Sequence, residues 1–349
     1  MSKRFSTILI PVLSVILGLL VGAVIMVISG YNPVTGYQAL WNGIFGDVYV
    51  LGESVRQITP YILAGLAVAF AFRTGLFNIG VEGQLIVGWF AAVYVGLAFE
   101  LPTYLHLPLA ILAAGVAGAI WAFVPGILKA KLGVNEVVVT IMMNYVALHV
   151  TNALIRSFAG KDITSRVKET ASLRIPFFQE LTDYSRMHGG IFIALIAVFV
   201  IWFILERTTL GYELKSVGFS QDASKYAGMN VPKNIVKAMV ISGFLAGLAG
   251  AMEGLGTFEY VGTKSSMTGI GFDGIAVSIL GANHPIGVIF GAALFGALKY
   301  GSLNMPNPPA EIPQEMISVI IAIIIFFVAS GYLFQWIREK SLAKKKGVK

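Results

Sequence analysis

The side chains best suited to chemistry lie in one short stretch that contains Phe77, Asn78, Glu82 and Gln84. Two long apolar runs flank this stretch, so they carry two carboxamides and a carboxylate to the edge of a bilayer or into it. A lone carboxylate in hydrocarbon costs at least a few kcal/mol, and such groups usually face a bundle interior or an aqueous path. We therefore expect these side chains to line a path across a membrane.

A second polar break is the segment Gly-Ile-Gly-Phe-Asp-Gly at 269–274. It matches G-x-G-x-x-G by letter, but a dinucleotide fingerprint needs a preceding strand within a βαβ unit, and the sequence does not alternate strands with helices. We interpret it as a helix break facing the path, with Asp273 as a second carboxylate within the membrane. Asn144, inside another apolar run, is a further candidate.

The sequence carries no pattern of catalytic or metal-binding residues. It has no cysteine, and neither His149 nor His284 has a second histidine at ligand spacing, so we expect no metal site. Gly160 and Lys161 are followed by aspartate and lack the upstream glycine of a P-loop. We therefore expect no cofactor and no enzymatic activity in this chain, and any ATPase would be a separate subunit.

The composition is that of a membrane protein. Of the 349 residues 56% are hydrophobic and only 12% are charged, about half the charge of a soluble domain. The net charge of +7 is typical of the positive-inside bias of membrane proteins, and we do not expect nucleic acid as a partner. We predict one polytopic transmembrane domain over residues 1–349.

Hydropathy predicts an all-α membrane protein with about ten transmembrane helices. The first run is too long for a signal peptide and is interpreted as a retained anchor. The distribution of lysine and arginine places both termini in the cytoplasm, with an external loop at 159–189 and a cytoplasmic loop at 206–235. The predicted spans are 7–29, 55–72, 81–99, 107–128, 136–157, 190–205, 236–255, 272–282, 286–300 and 315–336.

Two halves of the chain are predicted to repeat with inverted topology. The second to fifth spans contain the break at 77–84, and the seventh to tenth spans contain the break at 269–274. An odd number of spans separates the halves, so corresponding helices run in opposite directions, as in many transporters. In the seventh span, glycines at intervals of three and four residues share one face and predict close helix packing; they are Gly243, Gly247, Gly250 and Gly254.

Four motifs carry a resemblance that covers nearly the whole chain. They are Thr-Gly-Leu-Phe-Asn-Ile-Gly-Val-Glu-Gly-Gln at 74–84, Thr-Thr-Leu-Gly-Tyr-Glu-Leu-Lys-Ser-Val-Gly at 208–218, Tyr-Ala-Gly-Met at 226–229 and Gly-Phe-Asp-Gly-Ile-Ala-Val at 271–277. The chain resembles the permease subunits of bacterial ABC importers. It is most similar to the nucleoside-type branch of the ribose and branched-chain amino acid permease superfamily, because sugar permeases typically have a different phrase in place of the first motif.

The resemblance implies a location in the bacterial cell membrane and a set of partners. These are a second related permease, forming a heterodimer, an ABC ATPase subunit, an external substrate-binding lipoprotein and membrane lipid. It also implies a nucleoside path that contains Phe77, Asn78, Glu82, Gln84, Asn144 and Asp273. The coupling region for the ATPase would contain Gly211, Gly218, Ala223, Lys225, Ala227, Gly228 and Pro232.

Alternatives remain open for both cargo and mechanism. The same machine could carry a simple sugar or a branched-chain amino acid, and an ion-coupled carrier working alone could use Glu82 and Asp273 as a relay. The buried polar side chains also have two interpretations. They could contact substrate, or they could satisfy the backbone at the helix breaks and bridge neighbouring helices.

Overall fold

The computed structural model describes residues 3–329, which fold into helices joined by irregular segments. Backbone packing divides these residues into two compact units, one drawn from 3–50 and 297–329 and the other from 51–296. The helices are α1 (Lys3–Ile28), α2 (Pro33–Phe45), α3 (Val48–Arg73), α4 (Val81–Ala98), α5 (Thr103–Leu132), α6 (Glu136–Ala159), α7 (Pro176–Leu181), α8 (Gly190–Arg207), α9 (Thr209–Phe219), α10 (Gln221–Tyr226), α11 (Val231–Ala251), α12 (Ile270–Leu280), α13 (Pro285–Gly301) and α14 (Gln314–Ala329).

Seven of these helices are long and apolar enough to cross a membrane, which confirms a multi-pass α-helical protein. They are α3, α4, α5, α6, α8, α11 with the π-helical turn that follows it, and α13 with the 3-10 turn that follows it. They correspond to seven of the ten predicted spans. The end of the predicted tenth span, 330–336, and the terminal lysines that follow it lie outside the described residues.

The predicted eighth span is a short helix. Helix α12 has 11 residues, and at 1.5 Å per residue it measures about 16 Å, roughly half of a 30 Å hydrocarbon layer. It follows an irregular segment at 258–269, which we call the descending segment. A half-length helix preceded by irregular backbone has the form of the interrupted helices of transporters.

Helix α3 begins earlier than the hydropathy pattern predicted, at Val48 and not at Val55. The added turns contain Glu53, whose charge hydropathy counts against a span, and Arg56 lies in the first turn of the predicted span. In the structure Glu53 is buried and accepts hydrogen bonds from Arg56 Nε at 2.7 Å and from the Arg186 backbone N–H at 2.6 Å. Because they are paired, these charged side chains can be buried on α3. The pairing also holds the 160–189 segment against α3.

The core of the 51–296 unit forms where α11 packs against α4 and α5. The predicted glycine face makes these contacts, because a Cβ on Gly243 would overlap the backbone of Gly118. A Cβ on Gly247 would likewise overlap the carbonyl oxygen of Ala114, and one on Gly250 that of Leu85. The prediction of a close-packing face on the seventh span is therefore confirmed.

Candidate functional site

Helices α3 and α4 are separated by the break at 74–80, in which Asn78 is buried and fully hydrogen-bonded. Its Nδ2 donates to Gln84 Oε1 at 3.0 Å and to Ser242 Oγ at 2.9 Å. Its Oδ1 accepts from the Gly80 N–H at 3.0 Å and from Gln84 Nε2 at 3.1 Å. The two carboxamides form a reciprocal pair that holds the break against α11.

Asn144 reaches the same break from α6. Its Nδ2 donates to the Ile79 carbonyl at 3.0 Å, and its Oδ1 accepts from the Gly83 N–H at 2.8 Å. The first N–H groups of a helix have no partner within the helix, so Asn144 supplies one for α4. This side chain therefore spans the end of the break and the start of the helix.

Glu82 lies in the first turn of α4 and is 0% exposed. Its Oε1 accepts from Thr268 Oγ1 at 2.6 Å and from the Gly269 N–H at 2.9 Å, and its Oε2 accepts from the Gly271 N–H at 2.7 Å. These donors lie at the start of α12. One carboxylate therefore accepts hydrogen bonds at the positive end of a second helix while it lies at the start of its own.

Phe77 and Asp273 differ from the other four candidates because both are partly exposed. The ring of Phe77 packs edge-on against Phe72 with the centroids 4.7 Å apart. Asp273 accepts a hydrogen bond from the Tyr61 hydroxyl at 2.9 Å. The structure thus brings Asn78, Glu82, Gln84 and Asn144 together as the scaffold of the two breaks, and it leaves Phe77 and Asp273 with accessible surface.

Three residues that complete this scaffold were not predicted from the sequence. Ser242, which donates to the Ala67 carbonyl at 2.7 Å, joins Asn78 to α3, and Thr268 and Tyr61 are the partners of the two carboxylates. Single hydroxyl residues in and between apolar helices are common, and no local pattern distinguishes these three from others. Two charged residues between apolar runs, Glu259 and Lys264, were the available signal for the descending segment.

The arginines of the 160–189 segment are largely engaged within the protein. Glu259 is buried and pairs with Arg166, accepts from Ser172 Oγ at 2.6 Å, and pairs with Arg174 Nη1 at 3.1 Å. Arg174 also donates from Nε to the Gly256 carbonyl at 2.9 Å. These pairs hold the segment against the end of the π-helical turn, and they neutralise much of its basic charge within the protein.

His188, at the end of the same segment, is buried and neutral. Its Nδ1 accepts from the Gly190 N–H at 3.1 Å. Burial lowers the pKa of the imidazole to about 3, with Arg56 and Arg174 acting in the same direction. This histidine therefore does not change its charge at physiological pH.

The 206–235 segment contains α9 and α10, and it divides the predicted coupling residues into two groups. Gly211 and Gly218 pack closely against other backbone: a Cβ on Gly211 would overlap the Ile204 carbonyl, and one on Gly218 would lie 2.7 Å from the Gly75 nitrogen. The second group is exposed and consists of Ala223, Lys225, Ala227, Gly228 and Pro232.

The exposed coupling residues lie between two clefts and beside two solvent-exposed aromatic rings. One cleft of about 600 Å³ lies between α10 and the end of α5, and one of about 470 Å³ lies between α9 and α10. Phe219 and Tyr226 are each 95% exposed. Aromatic side chains flanked by grooves are typical of protein interfaces, and hydropathy alone gave no sign of these two.

Comparison with known proteins assigns the family. Residues 50–329 match a family described as "Branched-chain amino acid transport system / permease component". The chain belongs to this permease family. The resemblance found in the motifs is thereby confirmed, and the described fold, with its apolar helices, is that of a multi-pass membrane permease.

Several relatives are described as permease proteins of ABC transporters. The chain is 59% identical to the guanosine ABC transporter permease protein NupP of Bacillus subtilis, over 99% of both chains. It is 38% identical to the nucleoside ABC transporter permease protein NupB of Lactococcus lactis, over the full length of both. It is 32% identical to the guanosine ABC transporter permease protein NupQ of Bacillus subtilis, over 70% of this chain and 79% of NupQ. No solved structure matches the chain significantly.

Proposed function

We propose that this permease is the membrane subunit of an ATP-driven importer for nucleosides, in the cell membrane of a bacterium. The observation that carries the proposal is the 59% identity to a guanosine permease over 99% of both chains. The partners are a second permease related to this one, a separate ABC ATPase and an external binding lipoprotein. NupP and NupQ are two different guanosine permease proteins of one organism, which supports a heterodimer.

The proposed topology has ten spans, with both termini in the cytoplasm and two inverted halves. The meeting of the two breaks at Glu82 supports the inversion, since in such transporters the interrupted helices of the two halves lie at one site near the midplane. The family match extends over residues 50–329, across parts of both compact units. This supports treating the chain as one permease domain.

Within the proposed path, Phe77 and Asp273 contact the nucleoside. Both are partly exposed, and an aromatic ring with a carboxylate suits a base and a ribose. Asn78, Glu82, Gln84 and Asn144 shape the path by holding the two breaks, since each is buried and bonded within the protein. The importer receives its selectivity in part from the external binding protein.

The proposed coupling element is α10 with its two clefts, on the cytoplasmic side. The exposed rings of Phe219 and Tyr226 insert into the ATPase. When α9 moves, the contact of Gly218 with Gly75 displaces the break at 74–80. The backbone of one segment lies directly against that of the other, with a Gly75 Cβ position 2.6 Å from the Gly218 Cα. Close-packed backbones transmit displacement because no flexible side chain lies between them.

Uptake measurements test the proposed function. Labelled guanosine, adenosine, uridine, ribose and leucine are supplied to cells with the gene, without it, and with an ATPase-inactive partner. We expect nucleoside uptake to disappear in the last two strains. Loss of ribose or leucine uptake instead would mean that the protein is an importer subunit with a different substrate. Uptake that continues with the inactive ATPase would mean that this chain transports without an ATPase.

Replacement of Tyr226 by alanine is expected to weaken docking of the ATPase. A buried aromatic anchor at an interface contributes about 2 kcal/mol or more, so the affinity falls about thirtyfold. Copurification of the ATPase with tagged permease, titrated with free ATPase, measures the effect. Tyr104→Ala is the matched control, since Tyr104 is 74% exposed at the start of α5, away from α10. If both variants retain the same amount of ATPase, Tyr226 does not lie in the interface.

A further inference from the structure

Polar side chains follow one face of α3 from its contact with the 160–189 segment into the span. Glu53, Gln57 and Tyr61 are four residues apart in sequence, so they lie one above another on the helix. The helix rises about 12 Å from the first of them to the last. This face therefore reaches from one end of the span well into its interior.

The first contact on this face is with the 160–189 segment. Glu53 is 0% exposed, and its Oε2 accepts from Arg186 Nη2 at 2.8 Å and from Arg56 Nε at 2.7 Å. The Arg56 side chain is buried, whereas that of Arg186 is 42% exposed. One buried carboxylate therefore joins an accessible guanidinium to a buried one.

Hydrogen bonds continue from Arg56 to the start of α12. Arg56 Nη2 donates to Gln57 Oε1 at 3.1 Å, and the Gln57 carboxamide is in turn a hydrogen-bond partner of the Tyr61 hydroxyl. That hydroxyl donates to Asp273 Oδ2 at 2.9 Å, in the first turn of the half-length helix. The Tyr61 ring is buried and packs edge-on against Phe295, which fixes the hydroxyl between its partners. We call the six connected side chains the polar row; they are Arg186, Glu53, Arg56, Gln57, Tyr61 and Asp273.

Stability alone does not account for the polar row. Buried charges within a span are costly, and apolar side chains of similar volume often replace a buried ion pair without loss of stability. The row does connect distant parts of the chain, since 133 residues separate Glu53 from Arg186 and 212 separate Tyr61 from Asp273. It therefore links an accessible arginine of the 160–189 segment to the α12 break.

We propose that Gln57 and Tyr61 are positioning residues, through which a carboxylate of the external binding protein that binds Arg186 shifts Asp273 at the α12 break. This rests on the proposed function, which supplies the binding protein. Arg186 is the accessible end of the polar row, and the planar fork of a guanidinium suits a carboxylate. The binding protein thus signals its arrival to the break without touching it.

The exchange of partners proceeds along the polar row. The external carboxylate takes the Arg186 guanidinium, while the Arg186 backbone N–H keeps its bond to Glu53 at 2.6 Å and the segment stays attached. Glu53 then depends on Arg56 alone for its charge, and Arg56 turns from Gln57 towards it. The Gln57 carboxamide follows, which frees the Tyr61 hydroxyl to leave Asp273.

ATP hydrolysis by the purified importer in proteoliposomes tests the polar row, with guanosine-loaded binding protein added. Gln57→Leu removes both hydrogen bonds of the carboxamide, so stimulation of hydrolysis by the loaded protein should fall about tenfold. The concentration of binding protein that gives half of the stimulation should stay unchanged, because Gln57 does not contact that protein. Arg186→Gln should lower the stimulation and also raise that concentration.

The double variant shows whether the two positions act through one row. If they do, adding Arg186→Gln to Gln57→Leu lowers the maximal stimulation no further than the larger single loss. Independent losses would multiply to about a hundredfold and would overturn the proposal. Tyr61→Phe removes the next link and provides a second inner variant if Gln57→Leu does not assemble.

Two control variants lie outside the polar row. Arg156→Gln removes an exposed arginine that pairs with Asp162 at 2.8 Å, and Tyr145→Phe removes the hydroxyl of a tyrosine that is 55% exposed on α6. We expect wild-type stimulation in both. Losses in the controls as large as those in the row, or normal stimulation in Gln57→Leu, would overturn the proposal. A wild-type importer that does not respond to loaded binding protein would instead overturn the proposed function.

Discussion

Replacement of Gly218 by valine is expected to abolish nucleoside uptake while the ATPase remains bound. A Cβ at this position would lie 2.7 Å from the Gly75 nitrogen and 2.7 Å from the Thr74 carbonyl carbon. These are backbone atoms, so they cannot turn aside as a side chain would, and α9 must move away from the break. A movement of α9 would then no longer displace the break. Uptake should fall at least tenfold, because a displacement of about 1 Å at a functional site can lower a rate by that much or more.

The measurement compares uptake with ATP hydrolysis by the purified importer. We expect hydrolysis to persist in the Gly218→Val importer and to lose its stimulation by loaded binding protein. Loss of helix stability is not an alternative explanation, because alanine and valine both favour a helix interior over glycine; Gly218→Ala should give a smaller effect of the same kind. Normal stimulated uptake in both variants would show that this contact is dispensable.

Gly75 provides an independent check of the same contact. Its φ of +72° disfavours any other residue, so Gly75→Ala adds backbone strain to the steric overlap. Gly133→Ala is the matched control, because Gly133 has a φ of +65° and open space around its Cβ position. If the contact matters, Gly75→Ala should reduce uptake far more than Gly133→Ala does.

Replacement of Glu82 by glutamine is expected to destabilise the permease and to reduce uptake severely. The carboxylate accepts hydrogen bonds from Thr268 Oγ1 and from the backbone N–H groups of Gly269 and Gly271. A glutamine amide has only one oxygen, so its NH₂ group would face at least one of these donors. An unpaired buried donor and the loss of charge at two helix starts together cost about 2–4 kcal/mol. Thermal unfolding of the purified complex in detergent measures the change, with uptake as the second readout.

The control for Glu82 is Glu169→Gln, since Glu169 is exposed on the 160–189 segment. We expect it to leave both readouts unchanged. The combination of results also decides between the two interpretations of the polar residues. Lost stability confirms a role in holding the breaks together, whereas normal stability with lost uptake would mean that Glu82 acts on substrate or on a transported ion.

The class of protein follows from the sequence by itself. Apolar runs of about 20 residues predict membrane helices because the bilayer requires that length, and the runs that became α4, α5, α6, α8, α11 and α13 were predicted within a few residues of their ends, apart from longer ends on α5 and α11. The family was also predicted, since the motif at 74–84 is local in the chain. The glycine face of α11 was predictable because helical periodicity places its members together.

The roles of the polar residues were decided by the tertiary structure alone. Glu82 finds its partners 186 to 189 residues further along the chain, and Asn78 finds Ser242 at a separation of 164. A local sequence shows that such a side chain is polar and placed in an apolar region, but not which donors will meet it. The contact of Gly218 with Gly75, the bare rings of Phe219 and Tyr226, and the ammonium of Lys264 on Trp89 likewise depend on which segments pack together. Hydropathy fixes where helices lie along the chain, whereas hydrogen bonding and close packing between distant segments fix what their polar residues do.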